Sequence, residues 1–156
     1  MIDDLPVLHQ LANGQQKNTA HLFKPMDGYR FGRAGERTSL KNGQNHHNGI
    51  KLYYHLKDEP SKKDTVSITF ADASGAIIRT YSNVDKKNKL TAEKGSNSFL
   101  WNMRYPNAEG FDGLIMWSGG LTGPKAMPGD YSATLTVNGQ SQKVDFKILK
   151  DPRSSA

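Results

Sequence analysis

Cysteine is missing from this chain altogether. That excludes disulfides and thiolate metal sites, and it leaves the cellular compartment open. Long apolar runs are missing too: no stretch approaches the ~18 residues of a membrane-spanning helix, so no membrane partner is expected. The first residues, Met1-Ile-Asp-Asp-Leu-Pro6, are acidic and carry no apolar core of a signal peptide. Apolar residues in general are few, 35 % of 156, with a mean hydropathy of −0.69. A single domain of this length can bury a core, but so few apolar residues leave part of the chain as loop or extension. Acidic residues are outnumbered, 15 to 21, for a net charge of +6. The basic excess is scattered, as at Lys57, Lys62, Lys63, Lys86, Lys87, Lys89, Lys94, Lys143 and Lys147. Such scatter marks a solvated face, and with no recognition motif beside it no nucleic-acid partner is expected.

What the chain does have is turns and a period of two. Its 15 glycines and 7 prolines suit a turn-rich β protein, and no long helical period occurs. Asn138-Gly139 sits between two alternating stretches, Tyr131–Val137 and Gln140–Lys150. An Asn-Gly pair suits the type I′ turn, which needs positive φ at both central positions. A two-residue loop there sets Val137 opposite Gln140, Ala133 opposite Val144 and Tyr131 opposite Phe146, with the apolar positions on one face. Earlier, Ile50, Leu52, Tyr54 and Leu56 alternate with polar residues. Val66, Ile68 and Phe70 follow, then an Asp72-Ala-Ser-Gly75 turn, then Ala76–Ser82. Phe99, Trp101, Met103 and Tyr105 share one side of Asn97–Tyr105. Residues 83–96 are charged and read as loop, with room for a short edge strand. The spacing predicts an antiparallel two-sheet sandwich.

Two regions stand apart. Residues 1–35 carry apolar residues without a period, and Leu5, Leu8, Leu22 and Phe23 are the expected anchors of an arm. A short helical turn fits around Leu5–Leu11. Residues 35–49 read as a polar, mobile loop. Residues 106–128 form a gap longer than the 12–15 residues or so usual for a structureless loop. It carries Phe111, Leu114, Ile115, Met116 and Trp117. Either it folds over the open end of its own sandwich or it contacts a partner. Phe111, Trp117 and Tyr53 are the candidate contact residues, for a partner or for the face of a sugar ring.

No catalytic or metal set stands at usable spacing. His46-His47 are adjacent in a polar loop, and His9, His21 and His55 have no cysteine or carboxylate cluster beside them. Glu109 and Asp112 share the long loop, but nothing else marks them as the facing pair of a glycosidase. Ser118-Gly-Gly120 lacks a nucleophile elbow, and Gly119–Pro124 lacks the Gly-Lys-Ser/Thr of a phosphate loop. No cofactor is expected.

Three segments carry a resemblance: Thr65–Ser82, Gly95–Pro106 with its Phe99-Leu-Trp-Asn-Met-Arg104 core, and Met127–Arg153 with Pro128-Gly-Asp-Tyr131 and Asp151-Pro-Arg153. Their order resembles the immunoglobulin-like C-terminal domain that follows the β-propeller in bacterial secreted proteins with sortilin-like or BNR repeats, proteins often labelled glycosyl hydrolases. The module is similar to the hook-capping and fibronectin III types. Asp3-Asp4-Leu5 through His21-Leu-Phe-Lys-Pro25 and Tyr29-Arg30 looks like the strap that leaves the propeller. The resemblance implies an all-β, immunoglobulin-like antiparallel β-sandwich over residues 50–153, with an extended N-terminal arm and polar loop over 1–49. Together with the alternation it implies a core of Phe99, Trp101, Met103, Tyr131, Leu135, Val144 and Phe146, with Tyr131 in a tyrosine corner. It implies a non-catalytic accessory role, an extracellular or periplasmic location, and an upstream propeller of the same polypeptide as partner. The alternative is a carbohydrate-binding module that uses the aromatics of 106–128.

Overall fold

The computed structural model describes residues 5–12, 19–31, 48–61, 63–115 and 117–153. It is mostly β, with two sheets and one short helix, α1 (Leu5–Ala12). One sheet has three strands in the order β1 (Ala20–Leu22), β3 (Ile50–Leu56), β6 (Gly95–Trp101). The other has five, in the order β2 (Gly28–Arg30), β8 (Gln140–Lys150), β7 (Gly129–Val137), β4 (Val66–Asp72), β5 (Ile77–Ser82).

The period of two becomes burial directly. Ile50, Leu52, Tyr54 and Leu56 of β3 face Val66, Ile68 and Phe70 of β4 and Tyr131, Ala133 and Leu135 of β7 across the core. At the centre Phe70 stacks on Trp101 with ring centroids 4.4 Å apart. Tyr131 and Phe146 flank the indole at 6.1 and 6.2 Å. Burying such large rings supplies most of the apolar area that holds two sheets together. Trp101, Met103, Tyr131, Leu135 and Phe146 are buried as expected; Phe99 and Val144 are partly buried and pack against the cluster. Phe99 touches Tyr81 and Phe70.

The closing hairpin has the register set by Asn138-Gly139. Both residues have positive φ, 48° and 86°, and Val137 pairs with Gln140, Ala133 with Val144 and Tyr131 with Phe146. The turn after β4 is tied by Asp72, whose Oδ1 accepts from the Ser74 and Ala76 amides and the Ser74 hydroxyl.

Several elements differ from the sequence expectation. The strand expected to run to Tyr105 ends at Trp101. The Asn102 carboxamide oxygen accepts the Arg104 amide, a local turn that competes with the sheet ladder, and Met103 adopts φ 56°. Leu90, lone among charges, is buried in the core. Residues 83–94 form no named strand, only an isolated bridge between Ser82 and Lys89, and the last two residues expected as loop, Gly95 and Ser96, already belong to β6.

The largest difference concerns the stretch expected as an arm. Residues 20–30 give one strand to each sheet: β1 pairs antiparallel with β3, and β2 pairs with β8. The β2–β8 pair is parallel, against the all-antiparallel expectation. Leu22 and Phe23 are buried, but Leu5 and Leu8 are half-exposed. A carboxamide, Gln10, fastens α1 by bonding both the amide and the carbonyl of Lys24. The expected polar loop of 35–49 lies outside the described residues except for Asn48 and Gly49.

Candidate functional site

The long connection between β6 and β7 has two parts. Its base is a two-legged stem. Ala126 donates to the Met103 carbonyl (2.7 Å), Tyr105 to Pro124 (3.0 Å) and Ala108 to Leu121 (2.8 Å), and Arg104 and Lys125 form an isolated antiparallel bridge. The Arg104 guanidinium donates to the Gly123 carbonyl at 2.7 Å, and the Gly123 amide donates to the Asn107 side chain at 3.2 Å. Gly123 is required for steric reasons: a Cβ there would lie 2.2 Å from the Tyr105 carbonyl oxygen and 2.3 Å from that of Pro106. The stem roots in the core through Met103 and Ala126, both fully buried.

Beyond the stem the tip turns outward. Phe111 is 72 % exposed, Ile115 79 % and Trp117 98 %, with Leu114 and Met127 also exposed. Leu114 closes a turn onto the Phe111 carbonyl at 3.1 Å, and Gly113 has φ 84°. The reading in which this loop plugs its own sandwich is therefore corrected for the described residues: the stem packs, and the tip does not. Hydrogen bonding of the backbone legs to each other, rather than apolar content, fixes the loop's course. Met116 lies outside the described residues. Clustered exposed apolar side chains of this size mark interaction surfaces.

The three candidate contact residues are not brought together as one platform. At 98 % exposure Trp117 packs on neither of the others. Tyr53 lies on the outer face of β3, opposite Ser98 of β6, with the Lys51 ammonium 4.8 Å from its ring centre. It lines a small recess with Pro6, Val7, Pro25 and Met26.

Glu109 and Asp112 are exposed, and no described hydrogen bond or ion pair engages either. Among the described residues no three His, Cys, Asp or Glu side chains stand where they could hold a metal; His46 and His47 lie outside those residues. A cleft of about 830 Å³ opens at the end of the sandwich near the 138–139 turn, lined by Leu135, Val137, Asn138, Gln142, Lys57 and Asp58 among others.

Two further groupings carry charge or titratable nitrogen. His21 and His55 face each other across β1 and β3. His21 is 6 % exposed, and burial above all, with His55 beside it, holds its imidazole below the ordinary histidine value. On the stem, Arg104 and Lys125 are paired across the bridge, and the Lys125 ammonium donates to the carbonyl of Phe31 (3.2 Å), the residue after Arg30, and to the Asn48 side chain (3.3 Å), within reach of the Arg30 charge. Sequence reading does not group these cations, because their proximity depends on stem pairing and on β2. Comparison with known protein families and with curated proteins gives no match.

Proposed function

We propose that this chain is a non-catalytic docking module, an immunoglobulin-like β-sandwich of a secreted or periplasmic bacterial protein, seated against an upstream β-propeller of the same polypeptide. The observation that carries the docking role is the outward loop tip of Phe111, Leu114, Ile115 and Trp117 on a stem rooted in the core. A fixed stem lowers the ordering cost of binding, and exposed apolar anchors supply the area to be buried. Mixed aliphatic and aromatic side chains suit an irregular protein surface better than a sugar face.

The immunoglobulin-like reading is supported by the strand order β1-β3-β6 against β2-β8-β7-β4-β5, the order of a Greek-key sandwich with an added edge strand. It is supported also by Tyr131, which opens β7 and donates its hydroxyl back to the Met127 carbonyl at 2.7 Å, as a tyrosine corner does. The propeller partner and the secreted location rest on the sequence resemblance alone.

Trp117 reports on docking directly. In a Trp101→Phe background it is the sole tryptophan. Its emission is expected at the wavelength of bulk water in this chain, and in the longer polypeptide, taken as the difference from a Trp117→Phe control, it should be blue-shifted and shielded from iodide. An indole equally quenchable in both would overturn the docking reading. The free faces of the Trp117 ring favour a second reading, glycan stacking. Saturable binding on a glycan array, lost in Trp117→Ala, would put that reading first. Turnover of aryl glycosides by the pure chain, lost on changing Glu109 or Asp112, would displace both.

A further inference from the structure

We infer that Arg30, Arg104 and Lys125 form an oxyanion-binding site at the base of the loop stem, one that takes a single carboxylate, sulfate or phosphate group. The inference is independent of whether the loop tip docks.

The geometry starts from the bridge between Arg104 and Lys125. Residues opposed in an antiparallel pair have Cβ atoms about 4.5–5.5 Å apart on one face, and like charges placed so repel. Neither side chain swings free to relieve this. Arg104 is held by its bond to the Gly123 carbonyl, and Lys125 by its bonds to Phe31 and Asn48. The Lys125–Phe31 bond also draws the ammonium to the end of β2, onto the residue after Arg30 and within reach of its charge. Burial, then the charges of Arg104 and Arg30, hold the Lys125 ammonium below the usual lysine range, as expected where cations converge without a counter-ion.

No described carboxylate neutralises the group. The described ion pairs join Lys143 to Asp145, Lys147 to Asp130 and Arg153 to Asp151. Asp72, near Tyr131, spends its Oδ1 on its own turn. The Nε and Nη2 of Arg104 have no described acceptor, and Arg30 is exposed with none. A guanidinium with a free edge next to an ammonium matches the fork-like acceptor geometry of a carboxylate or a tetrahedral oxyanion.

The test is an NMR titration of the full isotope-labelled chain with acetate, sulfate and phosphate, with ionic strength held constant by chloride. Saturable shifts are expected at the amides of Arg104, Gly123 and Lys125 and at Lys125 Nζ. Lys125→Met and Arg30→Gln should each weaken binding about tenfold, roughly the factor that one charge-assisted hydrogen bond carries. Lys147→Met, on a different ion pair, should leave it unchanged. Preference for acetate would point to an acidic side chain as the source, and preference for sulfate or phosphate to a modified glycan or peptide. Shifts linear in concentration and spread over all surface lysines would overturn the site, as would Arg30→Gln binding like the parent. Because Arg30 is exposed and makes no described hydrogen bond, its variant keeps the test decisive should Lys125→Met fail to fold.

Discussion

The side chain of Gln142 in β8 exchanges two hydrogen bonds with the backbone of Leu22 in β1: the Leu22 amide donates to Oε1 at 2.8 Å, and Nε2 donates to the Leu22 carbonyl at 3.3 Å. One carboxamide thus does for the open edge of the three-stranded sheet what a neighbouring strand would do, and it ties that sheet to the other.

Gln142→Ala should therefore cost about 1–3 kcal/mol, the penalty for leaving part-buried backbone groups without partners. Urea denaturation measures the loss. Hydrogen exchange locates it: the Leu22 amide should become fast while that of Ala133, in the middle of β7, stays slow. Slow exchange at Leu22 in the variant would mean that β1 is held by β3 alone.

Trp101 and Tyr131 should separate two contributions at the centre of the core. Trp101→Ala removes a fully buried indole packed on Phe70, Tyr131 and Phe146, and should cost about 3–5 kcal/mol. Tyr131→Phe keeps the ring and removes only the hydroxyl bond to Met127, so about 1 kcal/mol is expected. A Trp101→Ala protein as stable as the parent would contradict the position of β6.

Gly123→Ala should loosen the stem with little effect on the sandwich. The added methyl group meets two carbonyl oxygens, so the legs at 105–106 and 123 must part. The expected result is fast exchange at the Tyr105 and Ala108 amides with the β7–β8 amides unaffected. Global unfolding instead would show that the stem is part of the cooperative core.

His21 sets a pH window. Its folded value lies below the ordinary 6.5, because burial and His55 oppose the charge. Above about pH 6.5 both folded and unfolded forms are neutral, and the contribution is fully present. As the pH falls below that, the unfolded chain takes up the proton first, so stability declines until the folded value is reached and then levels. The carboxylates of Asp64, Asp72 and Asp85, held low by their hydrogen bonds, act only in the more acidic range below 3.8. Urea midpoints measured from pH 7.5 to 5 should fall in the parent and stay flatter in His21→Gln.

The parts legible in the sequence were those whose signal is local. Asn138-Gly139 dictates φ at its own two positions and so fixes the register of β7 against β8. The alternation of Ile50, Leu52, Tyr54 and Leu56 fixes a face. β1 and β2 were not legible: three residues are too few for a period, and their partners, Tyr54 for Leu22 and Ile148 for Gly28, lie far along the chain. Leu90 was hidden by charged neighbours. In the loop, composition marked the apolar residues but not their direction, which the pairing of Tyr105 with Pro124 and Ala108 with Leu121 decides. The grouping of Arg30, Arg104 and Lys125 depends on those same distant pairings.

The parallel pairing of β2 with β8 has a mechanical consequence. Tension drawn along the chain pulls the entrance of β2 one way and the exit of β8 the other. Once β1 has peeled from β3, the load falls on the register of Gly28, Tyr29 and Arg30 beside Ile148, Leu149 and Lys150. In parallel strands pulled from opposite ends, the hydrogen bonds are sheared together and resist as a group. The antiparallel hairpin of β7 and β8, pulled open from its free ends, would instead unzip one bond at a time. This short patch between an early and a late strand is thus placed to act as a clasp, loaded in shear where the broad β7–β8 ladder is not.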